Sequence, residues 1–189
     1  MIKKIFGVFL LAMALAVAFG VMLLPTFFTK DISRIALRET LELEHILSGD
    51  EALELLFFGY SGCSDVCTPR LGALAAFYEG VDTETKKHLS VRFLDISTPK
   101  DPTLPQRFAE YFHKDFVGIS LKPHTLGDYT KPFKLFFAPS LQDATEFDHT
   151  AHLYLLSKRG GKKEIRYIYT AYPYDFKQIQ EDIKELLNE

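Results

Sequence analysis

Tryptophan is absent from this 189-residue chain, and cysteine occurs only twice. Without Trp, the 17 phenylalanines and the leucines have to fill the core. Two thiols do not make a disulfide-rich scaffold, so their value is chemical rather than structural. The imbalance of charge is also small, a net charge of -3. It gives no electrostatic case for nucleic acid or for a strongly basic membrane-binding surface. Internal repeats and low-complexity tracts are missing as well, which excludes solenoids and biased linkers.

Charge is missing altogether between Lys4 and Lys30. At about 1.5 Å per helical residue, the apolar run from Ile5 to Leu24 is long enough to span a hydrocarbon core of about 30 Å. Lys3 and Lys4 in front of it stay in the cytoplasm, which sends the rest of the chain outside. Residues 1–28 are therefore expected to form one transmembrane signal-anchor helix, 29–50 a linker, and 51–189 a single soluble domain. A cleaved signal peptide competes with this, since Ala14, Ala16 and Ala18 offer A-x-A spacing. The run stays apolar through Val21, Met22, Leu23 and Leu24, where a signal peptide would turn polar. Either way the domain is exported, and a bacterial inner membrane with the domain on its periplasmic side is the simplest host.

The linker holds no single period in Ile35, Leu37, Leu41, Leu43, Ile46 and Leu47, and is expected to contain some helix or a short strand. From Leu53 to Tyr60 a largely apolar run reads as a buried strand. Thr68 followed by Pro69 signals a helix N-cap and first turn, with Leu71, Leu74, Ala75 and Tyr78 on one face and a stop near Gly80. A strand over Leu89 to Ile96 follows, then a helix over Thr103 to Phe112 with Phe108, Tyr111 and Phe112 inward. Lys114 to Asp148 is irregular, with a short strand near Phe116 to Ile119. A strand over Ala151 to Leu156, a hairpin turn at Arg159-Gly160-Gly161, a returning strand over Ile165 to Thr170 and a helix over Phe176 to Leu187 complete the chain. The order β-α-β-α, loop, β-β-α is that of a thioredoxin-like α/β fold: a mixed sheet with flanking helices.

Cys63 and Cys67 lie between the first strand of that order and its helix, where ligand sites of α/β sheets collect. A helix N-terminus favours thiolate, and Cys67, at the helix start, is expected to be more acidic than free cysteine. On a helix, C-x-x-x-C spacing places the Cα atoms about 6 Å apart, compatible with a disulfide. A reversible disulfide and a two-thiolate metal site are both feasible. A structural bridge over so short a loop would stabilise little. Of the 6 histidines, His45, His88, His113 and His124 read as surface or satisfied core groups. His149 and His152 stand at the start of the strand antiparallel to the first, at the sheet edge where the cysteines lie. They have opposite parity, so at most one faces the thiols, and His149 is nearer the loop. Two thiolates and an imidazole suit Cu(I); such a set can also hold Cu(II), and a Cys₂His zinc site is the chemical competitor.

The run FFGYSGCSDVC, Phe57 to Cys67, resembles the SCO/SenC family of copper proteins, whose motif there is F-G-Y-T-x-C-P-D-V-C-P. DHTAHLYLL, Asp148 to Leu156, resembles that family's Asp-His segment before a strand. Leu94 to Phe112 resembles a degraded D-P-x-x-D-T-P segment. Ser64 replaces the usual Pro, Gly62 stands where many members have His, and Pro69 comes one position late. The resemblance implies a thioredoxin-like fold, copper ligation by Cys63, Cys67 and His149, and copper delivery to cytochrome c oxidase. The partner would be a respiratory oxidase subunit or another copper protein. A metallochaperone is the leading reading. A thiol–disulfide oxidoreductase using Cys63 and Cys67 is the alternative, and a copper or redox sensor the third.

Overall fold

The computed structural model describes residues 12–17, 19–20, 33–41, 51–141 and 146–189. The chain divides into two units, Met1–Ile32 and Ser33–Glu189. In the first, residues 12–17 and 19–20 are helical. Among the described residues no helix is long and apolar enough to cross a membrane; the anchor expected over 1–28 lies largely outside them.

The second unit carries eight strands and five α-helices among the described residues. In chain order they are β1 (Arg34–Leu41), β2 (Leu53–Gly59), α1 (Cys67–Glu79), α2 (Thr83–Lys86), β3 (Leu89–Asp95), α3 (Leu104–Phe112), β4 (Val117–Ser120), α4 (Leu126–Thr130), β5 (Phe137–Pro139), β6 (Phe147–His149), β7 (Leu153–Arg159), β8 (Lys162–Tyr169) and α5 (Phe176–Leu187). Six strands form one mixed sheet in the order β1-β8-β7-β2-β3-β4, while β5 and β6 form a separate antiparallel ribbon. β2, β3 and β4 are parallel, and β7 returns antiparallel to β2.

Every residue of β2 and of β3 is buried, because the sheet is covered on both faces. Successive side chains alternate between them. Leu53, Leu55, Phe57, Val91 and Phe93 share one hydrophobic cluster with Leu71 and Leu74 of α1, Ala109 of α3, and Ile179 and Ile183 of α5. Leu56, Phe58 and Leu94 belong to a second cluster with Leu121, Tyr129, Phe133 and Tyr154. The three longer helices thus share one face, and the short α4 with its neighbouring turns covers the other. Phe57, Phe58, Phe93, Phe116 and Phe133 are among the largest fully buried side chains, each contributing about 2–3 kcal/mol by burial. Phenylalanine does take the place of the missing Trp. Glu54 is buried within β2 at 1% exposure, paired with Arg92 at 3.2 Å and with Lys163. Burial pushes its carboxyl above the usual carboxylate range and the Lys163 ammonium below its own.

Within the expected linker, residues 34–41 form the edge strand β1, paired with β8, and a bulge between Ala36 and Glu39 interrupts its alternation. Three expectations are corrected by the structure. Thr68 is not the N-cap: α1 begins at Cys67, and the Thr68 hydroxyl donates to the Cys63 carbonyl at 2.8 Å. Tyr111 does not point inward but is 82% exposed; on α3 the buried positions are Pro105 and Ala109. The strand expected from Ala151 begins at Leu153, so neither His149 nor His152 lies on it.

Candidate metal centre

β2 ends at Gly59 and α1 begins at Cys67, so the segment between them crosses the C-terminal end of the parallel strands. Gly62 has a φ of +97°, a left-handed conformation that glycine adopts without a Cβ penalty. That conformation is a physical reason for glycine at a position where the resembled family often carries His. Cys63 N–H donates to the Tyr60 carbonyl at 3.2 Å, and Thr68 N–H to the Cys63 carbonyl at 3.3 Å. These contacts turn the chain into the helix.

Both cysteines are free thiols and both are buried. Cys67 sits against the sheet, where glycine at position 59 leaves room for it: a Cβ there would lie 2.5 Å from Cys67 Sγ and 2.9 Å from a Phe93 ring carbon. His149 comes from the other side. It ends β6, which pairs with β5 so that Phe137 lies opposite His149. Its Nε2 is 3.8 Å from Cys67 Sγ. Its Nδ1 is 3.1 Å from the Thr150 carbonyl. A carbonyl only accepts, so Nδ1 carries a proton, and that bond turns Nε2 toward the thiols. Phe57 and Tyr60 meet the imidazole edge-on, with ring centroids at 6.4 and 6.1 Å.

Ligand atoms of Cys63, Cys67 and His149 all lie within 4.8 Å of one another, the one His/Cys/Asp/Glu cluster of metal-holding geometry among the described residues. A shared ion about 2.0–2.3 Å from each donor requires separations of roughly 3.5–4 Å. The Cys67–His149 distance already meets that requirement. The donor set is soft and borderline, without a carboxylate.

The two thiols differ in acidity, and Cys67 departs from free cysteine in the direction opposite to the one expected of it. Hydrogen bonds from the Cys67 side chain, His149 and the backbone N–H groups of Cys67 and Val66 hold the Cys63 thiol well below its usual range, against burial. Cys67 N–H points at Cys63 Sγ, 3.3 Å away. The free N–H groups of the helix start thus face the sulfur four residues earlier, not the one on the helix. The hydrogen bond to Cys63, with burial, pushes the Cys67 thiol up. One thiolate, on Cys63, and one thiol is the arrangement this favours. Burial, together with a hydrogen bond to Cys63, also raises the Tyr60 hydroxyl.

All three sequence-expected ligands are therefore brought together. His152, in the connection before β7, stays outside the cluster. It lies on a different element from His149, so strand parity does not decide between them; its ring lies 6.3 Å from that of Tyr154. His88 is half-exposed on its side chain, His124 is exposed, and His113 is buried with Nε2 3.0 Å from Glu79. His45 lies outside the described residues. Asp65 is exposed and accepts only from Ser64 among the hydrogen bonds of this loop, at 2.7 Å. Gly59 and Tyr60 escaped the reading of the sequence as site residues. Their signal was the F-G-Y triplet at the strand end, which was read as part of the family motif and as the end of a strand, with no role at the site given to either residue.

Residues 45–188 match the SCO1/SenC family model. A SCO2-like protein of Rickettsia prowazekii is 26% identical over 113 residues, which are 57% of this chain and 55% of that protein. The chain thus spans little more than half the length of that curated relative. The solution structure of apo Sco1 from Thermus thermophilus superposes with a TM-score of 0.60 at 25% identity, covering 84% of this chain and 95% of the other. Yeast Sco1 with copper bound gives a TM-score of 0.59 at 18% identity, covering 82% and 89%; at that identity it speaks for the fold alone.

Proposed function

Because this chain belongs to the SCO1/SenC family, we propose that it is a copper chaperone, anchored in a bacterial inner membrane, that carries copper on Cys63, Cys67 and His149. The cargo goes to a respiratory oxidase subunit or another copper protein. The observation that carries this reading is the convergence of two sulfurs and an imidazole nitrogen within 4.8 Å. Soft thiolates select Cu(I), and the imidazole widens the site to Cu(II). The bound copper would be supplied to the recipient; the chain's own part is to orient His149 through Thr150 and to shield the thiols in apolar surroundings.

The test is copper affinity and stoichiometry of the full chain against His149→Ala and His152→Ala. We expect the wild type to take up stoichiometric Cu(I). The His149 variant should lose at least about tenfold in Cu(I) affinity, and more in Cu(II), since imidazole is the ligand suited to Cu(II). The His152 variant should match the wild type. A His149 variant indistinguishable from wild type would remove the imidazole from the site.

Membrane anchoring is supported by Lys3 and Lys4 ahead of the apolar run and by exposed Met13, Leu15, Val17 and Phe19 on helical residues within it. A reporter fused after Glu189 that works only outside the cytoplasm should be active. Activity confined to a cytoplasmic reporter would reverse the orientation.

The opposed acidities of Cys63 and Cys67 favour one second reading, a thiol–disulfide oxidoreductase with Cys63 as the attacking thiolate. Exchange chemistry needs the thiol pair alone. Brisk disulfide exchange without copper uptake, unaffected by the loss of His149, is the outcome that would favour it.

A further inference from the structure

Asp95 ends β3 with a side chain that is 0% exposed, and its two carboxylate oxygens serve different loops. Oδ2 accepts from the Ser61 backbone N–H at 2.8 Å and from the Ser61 hydroxyl at 2.5 Å. Oδ1 accepts the same two kinds of donor from Ser97, at 2.8 and 2.6 Å. Bonds to an ionised oxygen are about twice as strong as neutral ones. The carboxylate is itself held in place, because Ile96 N–H donates to the Gly59 carbonyl at 2.8 Å and Leu121 N–H to the Asp95 carbonyl at 3.0 Å.

The three candidate ligands are anchored unequally. Cys67 stands in the core on the first turn of α1, and His149 on a paired strand. Cys63 is on neither kind of element. Ahead of it lie only Tyr60, Ser61 and Gly62, and the glycine is the most permissive residue in the turn. The side chain that ties this turn to the sheet is Ser61, through Asp95. No contact of Asp95 reaches a sulfur, so whatever it does for the site passes through the Ser61 loop.

We propose that Asp95 is a positioning residue of the metal centre: through Ser61 it holds the 61–63 turn in the one conformation that presents Cys63 Sγ to Cys67 and His149. The proposal rests on the copper reading above for its function, and on the hydrogen bonds alone for its geometry. Partners behind a metal ligand commonly matter about 10- to 100-fold in affinity, and a ligand set loses affinity when one member has to be ordered at binding.

The carboxylate supplies its own control. Ser61→Ala and Ser97→Ala each delete one hydroxyl bond to the same buried group, so their effects on global stability should be alike. Only the first loosens the cysteine turn. In the full chain, Ser61→Ala should weaken Cu(I) binding about tenfold and change the thiolate-to-Cu(II) charge-transfer absorption. Its backbone amides over residues 61–67 should exchange with deuterium about tenfold faster than in wild type. Ser97→Ala should keep Cu(I) affinity and the Cu(II) spectrum within about twofold of wild type, with faster exchange confined to residues following Ser97. Equal copper losses in the two variants, or an unchanged Ser61→Ala, would overturn the proposal. If the wild type takes up no copper, the chaperone reading fails by itself. The exchange data still decide the positioning role, which falls if residues 61–67 are unmoved in Ser61→Ala.

Discussion

Serine in place of either cysteine is expected to lower Cu(I) affinity by more than about a hundredfold, since losing a ligand exceeds losing a group behind one. The two variants should then part company in their thiol chemistry. Cys67→Ser leaves Cys63 with the helix-start N–H at 3.3 Å still directed at its sulfur and His149 still close. Its thiolate should persist into mildly acid solution, where an unperturbed thiol near pKa 8.5 is protonated. Its rate of modification by a small alkylating reagent, slowed by burial, should hold nearly constant down to about pH 6, where that of free cysteine falls steeply. Cys63→Ser leaves a thiol that is 0% exposed and packed against Phe93 and Gly59. It should stay unmodified in the folded chain across the same range. Copper titration and mass spectrometry of the alkylated peptides read both halves. A Cys63→Ser chain that still binds Cu(I) tightly contradicts the two-thiolate site. A Cys67→Ser chain whose remaining thiol behaves like free cysteine contradicts the proposed direction of the asymmetry.

A methyl group at position 59 should do nearly as much damage from a residue with no functional group. The added Cβ of Gly59→Ala would fall 2.5 Å from Cys67 Sγ and 2.9 Å from Phe93, closer than nonbonded heavy atoms approach. Neither neighbour has free space: Cys67 and Phe93 are both 0% exposed. Overpacking of this kind costs about 1–3 kcal/mol. The sulfur is the more movable of the two contacts, so part of the strain is relieved by shifting a metal ligand. The expected result is a lowered urea midpoint with an unchanged m-value, together with at least about tenfold weaker Cu(I) binding. A Gly59→Ala chain with wild-type stability and copper affinity would show that the sheet and helix separate easily at this point.

The order of elements was legible in the sequence because the buried strands and amphipathic helices of this fold are long and punctuated by Gly and Pro, as at Pro69, Gly80 and Gly160-Gly161. α5 over Phe176–Leu187 matches its expected span. What escaped was set by tertiary neighbours. β1 carries Glu39 at a bulge beside Ile35 and Leu37, so its period of two is visible only once β8 is paired with it. The outward turn of Tyr111 follows from α3 burying the smaller Pro105 and Ala109, which lets the helix approach the sheet closely. That approach is why a Cβ on Gly118 would fall 2.0 Å from the Pro105 carbonyl oxygen.

At the metal centre, residue identities were more legible than their setting. Cys63 and Cys67 stand where topology and the F-G-Y-x-x-C-x-x-x-C pattern put them. His149 reaches them from the β5–β6 ribbon, although the sequence suggested the start of a core strand. Local patterning could not separate a three-residue ribbon strand from the seven-residue strand that begins four residues after His149. The acidity expected of Cys67 fails for a geometric reason. A helix start acts on whatever lies in front of its N–H groups, and here that is the preceding cysteine's sulfur.

The alternation of β2 has one more consequence, for how this sequence can vary. Leu53, Leu55 and Phe57 share their cluster with both cysteines, whereas Leu56 and Phe58 share theirs with Tyr129, Phe133 and Tyr154. Neighbouring positions along one strand therefore answer to different selective demands. Drift among the second set is free to trade one apolar shape for another so long as the domain stays folded, because the sheet backbone stands between it and the thiols. Drift among the first set alters the walls of the thiol site directly. Leu53, Leu55 and Phe57 should be the slow-changing positions of β2 among relatives that keep the same chemistry, and Leu56 and Phe58 the freer ones.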